Sequence, residues 1–323
     1  MTNKTKEKKL ILKTNEVKFR YGFEDENGKE VVPAIYSLAS DFRDGYAIVV
    51  DDETQYRKFI DTTGKIVFSL ECDLASEPVK RKTIFKKNEK CGIVDITTGK
   101  IVIPCEYDHL TWLNEDYNSD TIWNNQILTF DDLEDDEQVL FIKTEKDGKF
   151  GVSDMKGKFI MACKYDAIFF ASDYDEICFL TAKQEGRWGV FNMDGEIILS
   201  CAYDEMGVHW NDDYKWEHYL LSVKKNGKWG IINFDGKIIL PFEYDNVLIH
   251  DDAIYMEDHF EIENLEKVLF EVVKGKKHGV ISWSGEIVLP CEYDRIEFLS
   301  DEVDKKMVIT FKKGGKWELK EHK

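Results

Sequence analysis

Four kinds of residue in this chain could do chemistry. They are five Tyr-Asp pairs at one recurring position, seven recurring turn glycines each followed by Lys or Glu, seven cysteines and seven histidines. The carboxylates Asp108, Asp166, Asp204, Asp245 and Asp294 could serve as acids, bases or cation ligands. The Gly-Lys pairs invite a phosphate-cradle reading, but the Lys is followed by Glu30, Ile66, Ile101, Phe159 or Ile238, never by Ser or Thr. A strand rather than a helix is expected to follow, so no helix amides face a phosphate. Cys105, Cys163, Cys201 and Cys291 all stand two residues before a Tyr, and Phe242 fills the same slot in another copy. No Cys-x-x-Cys, His-Glu-x-x-His or Cys–His zinc spacing occurs. The acidic run Asp131–Glu137 lacks the alternating ligands and glycine of a calcium loop, and no nucleophile elbow is present. The Tyr-Asp pairs, the turn glycines and the slot cysteines recur because a unit recurs, which makes them scaffold. No catalytic residue, metal site or cofactor is expected.

The unit that positions these residues is clearest at Lys228-Trp229-Gly230-Ile231-Ile232-Asn233-Phe234-Asp235-Gly236-Lys237-Ile238-Ile239-Leu240-Pro241-Phe242-Glu243-Tyr244-Asp245. It returns seven times, with turn glycines at Gly28, Gly64, Gly99, Gly157, Gly195, Gly236 and Gly285. Asp or Asn opening the turn and Gly closing it is hairpin chemistry, and Asp95–Gly99, one residue longer, predicts a wider turn. The β-branched runs on either side predict short antiparallel strands with both faces covered. Lys9–Lys13 supplies a lead-in strand, and Phe311–Leu319 repeats the approach without a return strand. Copy two is read with Lys58-Phe59 in place of Trp-Gly and Cys72-Asp73 in place of Tyr-Asp. The expectation is an all-β, single-domain array of seven and a half antiparallel β-hairpin repeats. It has a lead-in over 1–16, seven repeats over 17–296 and a half-repeat cap over 297–323. An open curved superhelix (solenoid) and a seven-bladed β-propeller compete, and the open array is favoured.

The phrases Lys228-Trp229-Gly230-Ile231-Ile232-Asn233, Arg187-Trp188-Gly189-Val190-Phe191-Asn192 and Pro290-Cys291-Glu292-Tyr293-Asp294 resemble the WG-repeat (KWG-repeat) family of mostly bacterial proteins. The resemblance runs from about residue 17 to 319. It implies a β-repeat scaffold serving interaction, with no shared catalytic residue. Phe150-Gly151, Cys91-Gly92 and His278-Gly279 keep only the glycine, so Gly is the stricter demand. A close-passing neighbour is the physical reason expected.

Function is therefore sought between the repeats. The chain has 44 basic and 63 acidic residues, a net −19, which repels phosphate backbones and anionic lipids. Nucleic acid and membrane partners are not expected, while a basic protein partner is. No secretory signal or membrane span is read, and the expected location is cytoplasmic. Four connections after Tyr-Asp combine aromatics with acids. Their candidate partner-binding residues are Trp112, Asp116, Tyr117 and Trp123, then Asp173 and Tyr174. Trp210, Asp212, Asp213, Tyr214 and Trp216 follow, and Asp251, Asp252 and Tyr255 complete the set. Equivalent loops of stacked repeats emerge together, and rigid aromatics with steering charge make an interface. The expectation is a non-catalytic protein-binding scaffold, with an immunity-type inhibitor of a cationic toxin domain as one concrete form. Its alternatives are a hydrolase using loop carboxylates and a purely structural assembly module.

Overall fold

A computed structural model describes residues 10–15, 19–113, 127–128, 141–173, 176–209, 220–233, 236–250, 269–282, 284–301 and 306–322. Among them there is no helix, and the strands form eight small sheets. By internal contacts the chain falls into two compact units, Met1–Tyr165 and Asp166–Lys323.

In the first unit, the first sheet joins β1 (Ile11–Asn15), β2 (Arg20–Glu24) and β3 (Glu30–Tyr36). The second joins β4 (Leu38–Ala39), β5 (Tyr46–Val50), β6 (Arg57–Asp61) and β7 (Ile66–Leu70). The third holds β8 (Leu74–Ser76), β9 (Lys82–Lys87), β10 (Lys90–Asp95) and β11 (Ile101–Tyr107). The fourth holds β12 (His109–Leu113), β14 (Phe141–Lys146), β15 (Lys149–Asp154) and β16 (Phe159–Tyr165). Between them in sequence, β13 (Ile127–Leu128) adds to β8 as a parallel edge, the one exception among the described residues to the all-antiparallel expectation.

In the second unit, the fifth sheet is β17 (Ala167–Asp173), β18 (Glu176–Gln184), β19 (Arg187–Phe191) and β20 (Ile197–Tyr203). The sixth is β21 (Glu205–His209), β22 (Leu220–Lys225), β23 (Lys228–Asn233) and β24 (Ile238–Tyr244). The seventh is β25 (Asn246–His250), β26 (Leu269–Lys274), β27 (Lys277–Ser282) and β28 (Ile287–Tyr293). The eighth has, among the described residues, β29 (Arg295–Asp301), β30 (Lys306–Lys313) and β31 (Lys316–His322). A complete sheet is thus four strands in chain order, and the first strand starts directly after the Tyr-Asp pair.

In the third and sixth sheets the third strand is apolar at both parities because it lies between two sheets. Ile231 packs with Leu240, Tyr244, Val247 and Phe270 toward the seventh sheet. Its neighbour Ile232 packs with Phe179, Val190 and Leu221 toward the fifth. In the first unit, Val94 and Ile96 face Ile48 and Phe59, while Ile93 and Ile103 face Leu110 and Ile142. Burying each such side chain contributes about 1.5–3 kcal/mol, so the core is a series of layers between neighbouring sheets. The fourth strand differs from the sequence expectation. It alternates, leaving Ile101, Ile197, Ile238 and Ile287 exposed at its start, because it forms the edge of its sheet.

The turns follow their chemistry. The Gly236 N–H donates to the Asn233 carbonyl (3.0 Å), and Gly236 has φ +77°. In the longer third copy the Gly99 N–H reaches back four residues to the Asp95 carbonyl (2.8 Å), and the extra residue, Ile96, is buried.

The glycine of Trp-Gly is required by a bulge. Trp229 pairs with Tyr244 and Ile231 with Leu240, so three residues of the return strand cross over Gly230. The same register shift accompanies Gly22, Gly92, Gly151, Gly189 and Gly279. In copy two the register corrects the sequence reading. Arg57-Lys58, not Lys58-Phe59, occupies the Trp-Gly positions, with Arg57 opposite Leu70 and Lys58 opposite Ser69. No bulge crosses Lys58, because its Cβ fills the space a bulge needs.

Candidate functional site

Chain direction gives every sheet two unlike ends. The Tyr-Asp pair and the turn joining second to third strand lie at one end. The connection joining first to second strand and the Asp/Asn-x-x-Gly turn lie at the other.

The Tyr-Asp end is occupied by its own ties. Asp108 Oδ2 accepts the Asp147 N–H of the next sheet (2.6 Å), and its other oxygen pairs with Lys90 of its own sheet. Asp245 does the same with the Gly275 N–H (2.6 Å) and Lys228, and Asp294 with the Gly314 N–H (3.0 Å) and Lys277. Asp204 accepts from Gly227 (3.0 Å) and pairs with Arg187. The lysine hydrogen bond, reinforced by the backbone amide, holds the carboxyls of Asp108, Asp245 and Asp294 below the usual carboxylate range. A second ladder runs beside the first. Lys146 pairs with Glu106 (3.0 Å) and lies 5.5 Å from the Tyr107 ring centre; Lys274 pairs with Glu243 (2.8 Å) and lies 4.8 Å from Tyr244. Burial pushes the Tyr244 hydroxyl up to about 12. These carboxylates and rings join one sheet to the next.

The thiols are built in similarly. Cys105 Sγ lies 3.1 Å from the Lys90 carbonyl, and Cys201 and Cys291 each reach a second-strand carbonyl at 3.7 Å. Burial pushes Cys72 up to about 12 and Cys91 to about 11, the opposite of an activated thiol. Among the described residues no group of three or more His, Cys, Asp or Glu could hold a metal ion.

The opposite end carries the variable text. In the second and third sheets the first-to-second connection is short, and the two are linked. Arg43 pairs with Glu77 (3.7 Å), and the Arg81 N–H donates to Asp44 (2.7 Å). In the fourth to eighth sheets the connections are 114–140, 174–175, 210–219, 251–268 and 302–305. These 61 residues hold 22 of the 63 acidic residues and 3 of the 44 basic ones. Their net −19 equals that of the whole chain, and the remaining 262 residues carry 41 acids against 41 bases. The scaffold is neutral, and all the excess charge sits in one class of connection.

The candidate residues divide accordingly. Trp112 is a correction: it lies in β12, fully buried (0 % exposed) among Val79, Ile84, Ile93 and Ile142, and so is core rather than a partner anchor. The reason is that the first strand begins directly after Tyr-Asp, so the text read as the start of a loop is a packed edge strand. Asp173 ends β17 opposite Glu176. Asp116, Tyr117, Trp123, Tyr174, Trp210, Asp212, Asp213, Tyr214, Trp216, Asp251, Asp252 and Tyr255 lie outside the described residues, all within the charged connections. The signal that would have separated Trp112 from them is the alternation Leu110-Thr111-Trp112, a period-two strand pattern.

A family described as WG containing repeat matches residues 21–54, 59–91, 92–117, 188–229, 229–249 and 279–317, more than half of the chain. No curated protein matches it. Similar solved structures include a eukaryotic initiation factor, 11 % identical, with 95 % of this chain and 79 % of that one covered and a TM-score of 0.34. Hsv2 of Kluyveromyces marxianus is 8 % identical over 98 % of each chain, with a TM-score of 0.27. Kluyveromyces lactis Hsv2 is 7 % identical over 98 % of each, with a TM-score of 0.28. At these TM-scores the likeness carries no argument.

Proposed function

We propose, for a chain that belongs to the WG containing repeat family, a non-catalytic binding scaffold whose acidic, aromatic connections engage a basic protein. The observation that carries this reading is the charge division: a neutral scaffold, with a net −19 confined to the connections of the fourth to eighth sheets. Acidity serving solubility alone needs no such confinement. Charge gathered in one set of connections steers an oppositely charged partner and sets its on-rate. The same segments hold Trp123, Trp210 and Trp216, three of the eight tryptophans, the residue type most enriched at binding hot spots. The commitment of the Tyr-Asp carboxylates and the thiols to ties within the scaffold supports a role without catalysis.

The test is salt-dependent binding by the full chain and by a variant with the acids of 210–219 and 251–268 changed to Asn or Gln. Binding of a basic protein that weakens with salt and is lost in the variant is the expected outcome. Equal binding by both chains would defeat the reading, and turnover lost on neutralising those acids would favour a hydrolase instead.

A further inference from the structure

Among the described residues, β8 is the only first strand of a sheet with a neighbour on its other edge. That neighbour is β13, whose Ile127 and Leu128 pair in parallel with Ala75 and Ser76. β13 belongs to the connection 114–140, which holds nine acids and no base. A parallel pair gives both chains one direction. From Ser76 the chain runs on to Lys80-Arg81-Lys82, and from Leu128 it runs on to the acidic run 131–137. Asp131 and Asp132 stand three and four residues beyond Leu128, and Lys80 stands four beyond Ser76. Three extended residues span about 10 Å, so this register lets the start of the run reach the level of the basic turn.

That turn is unlike its counterparts. Val79 and Lys82 exchange both backbone hydrogen bonds (2.8 and 2.9 Å) around Lys80 and Arg81, whose φ values are +47° and +63°. This left-handed backbone favours Gly, Asn and Asp. Every other described pair of successive residues in it includes one of those three, as in Asp44-Gly45 and Asn226-Gly227. Two ties from outside the hairpin hold the turn. Asp44 accepts the Arg81 N–H (2.7 Å), and the Arg81 carbonyl accepts the N–H of Ile96 (3.0 Å), the extra residue of the third turn. Backbone strain held this firmly marks a place where the side chains are needed. Residues 77–81 also form the only first-to-second connection with a net positive charge, Lys80 and Arg81 against Glu77, and Lys82 follows directly. Glu77 is already paired with Arg43, and Arg81 is exposed.

We propose that the Lys80-Arg81-Lys82 turn is the docking surface for residues 131–137 of the same chain. The pairing of β13 with β8 is the tether, which makes an otherwise weak encounter of surface charges intramolecular. Six acids of the run face the three bases of the turn. The contact needs no partner, so its failure would leave the proposed function standing. Where that reading holds, the turn competes with the basic partner for these acids.

Limited digestion of the full chain with a glutamate-specific protease tests this, with cleavage after Glu134 and Glu137 read by mass spectrometry. Lys80→Asn/Arg81→Gly removes two charges and installs the residue pair such a turn prefers, so its melting temperature should equal or exceed that of the parent. Cleavage in the run should be several-fold faster in this variant at low salt, and high salt should bring the parent to the variant's rate. Cleavage after Glu261 and Glu263, in the connection 251–268, serves as the internal reference and should match in both. Asp131→Asn/Asp132→Asn, with the turn intact, should accelerate cleavage likewise, and combining the two changes should add little further. Equal cleavage of parent and turn variant at low salt would overturn the proposal. So would a parent rate indifferent to salt once scaled to the reference, or fully additive effects of the two changes.

Discussion

Gly230 lies beneath the Leu240 carbonyl so closely that a Cβ at residue 230 would stand 2.7 Å from that oxygen and 2.8 Å from the Phe242 ring. The return strand bulges over the third strand at this point, and the missing side chain is what allows it. Gly230→Ala should therefore destabilise the protein by about 1–3 kcal/mol, the usual range for overpacking, read as a lower melting temperature. An unchanged melting temperature would mean that the bulge can move aside.

Asp245 ties the sixth sheet to the seventh through Lys228 and the Gly275 amide. Its carboxyl titrates below the usual range, led by the hydrogen bond from Lys228. A depressed folded value contributes stability that is fully present above the unfolded carboxylate value of about 4 and is lost as pH falls through the folded value. Asp245→Asn should thus melt below the parent chain at pH 7, with the gap closing in strong acid. A gap that persists or widens at low pH would show that the tie is not ionic.

Trp112 and Trp210 test the division between core and connection. Trp112→Ala should cost about 3–5 kcal/mol as a large buried truncation. Trp210→Ala and Trp216→Ala should stay within about 0.5 kcal/mol of the parent while weakening partner binding. Calorimetry on the three variants checks both halves. Equal losses at all three would place Trp210 and Trp216 in the core as well.

The thiols of Cys72 and Cys91 should resist alkylation at pH 8 in the folded protein and react on unfolding, because burial holds both far from ionisation. Peptide mapping after brief labelling reads this directly. Rapid labelling of either in the native chain would argue that its layer opens.

Much of this build is legible in the residues themselves. The Asp/Asn-x-x-Gly turns, the longer third turn at Asp95–Gly99 and the demand for glycine at residue 230 all follow from local chemistry. What escapes a local reading depends on strand pairing. Trp112 looks like a loop aromatic because acids follow it, yet its place opposite Ile142 buries it. Copy two reads one residue too far along the chain, because it has neither Trp-Gly nor Tyr-Asp to set its phase. Counting back three from Gly64 to the turn-opening Asp61 would have placed Arg57-Lys58 correctly. The neutrality of the scaffold was also present in the sequence, but it shows only once strand ends mark where each connection begins.

The central claim is that the acidic connections, not the repeats, hold a basic partner. The most direct measurement passes one cell extract over the immobilised full chain and, in parallel, over the variant with the acids of 210–219 and 251–268 neutralised. Bound proteins are then eluted with a salt gradient and identified by mass spectrometry. The expected result is a strongly basic protein retained by the full chain, released by salt and absent from the neutralised variant. The same proteins on both columns, or none released by salt from the full chain, would contradict it.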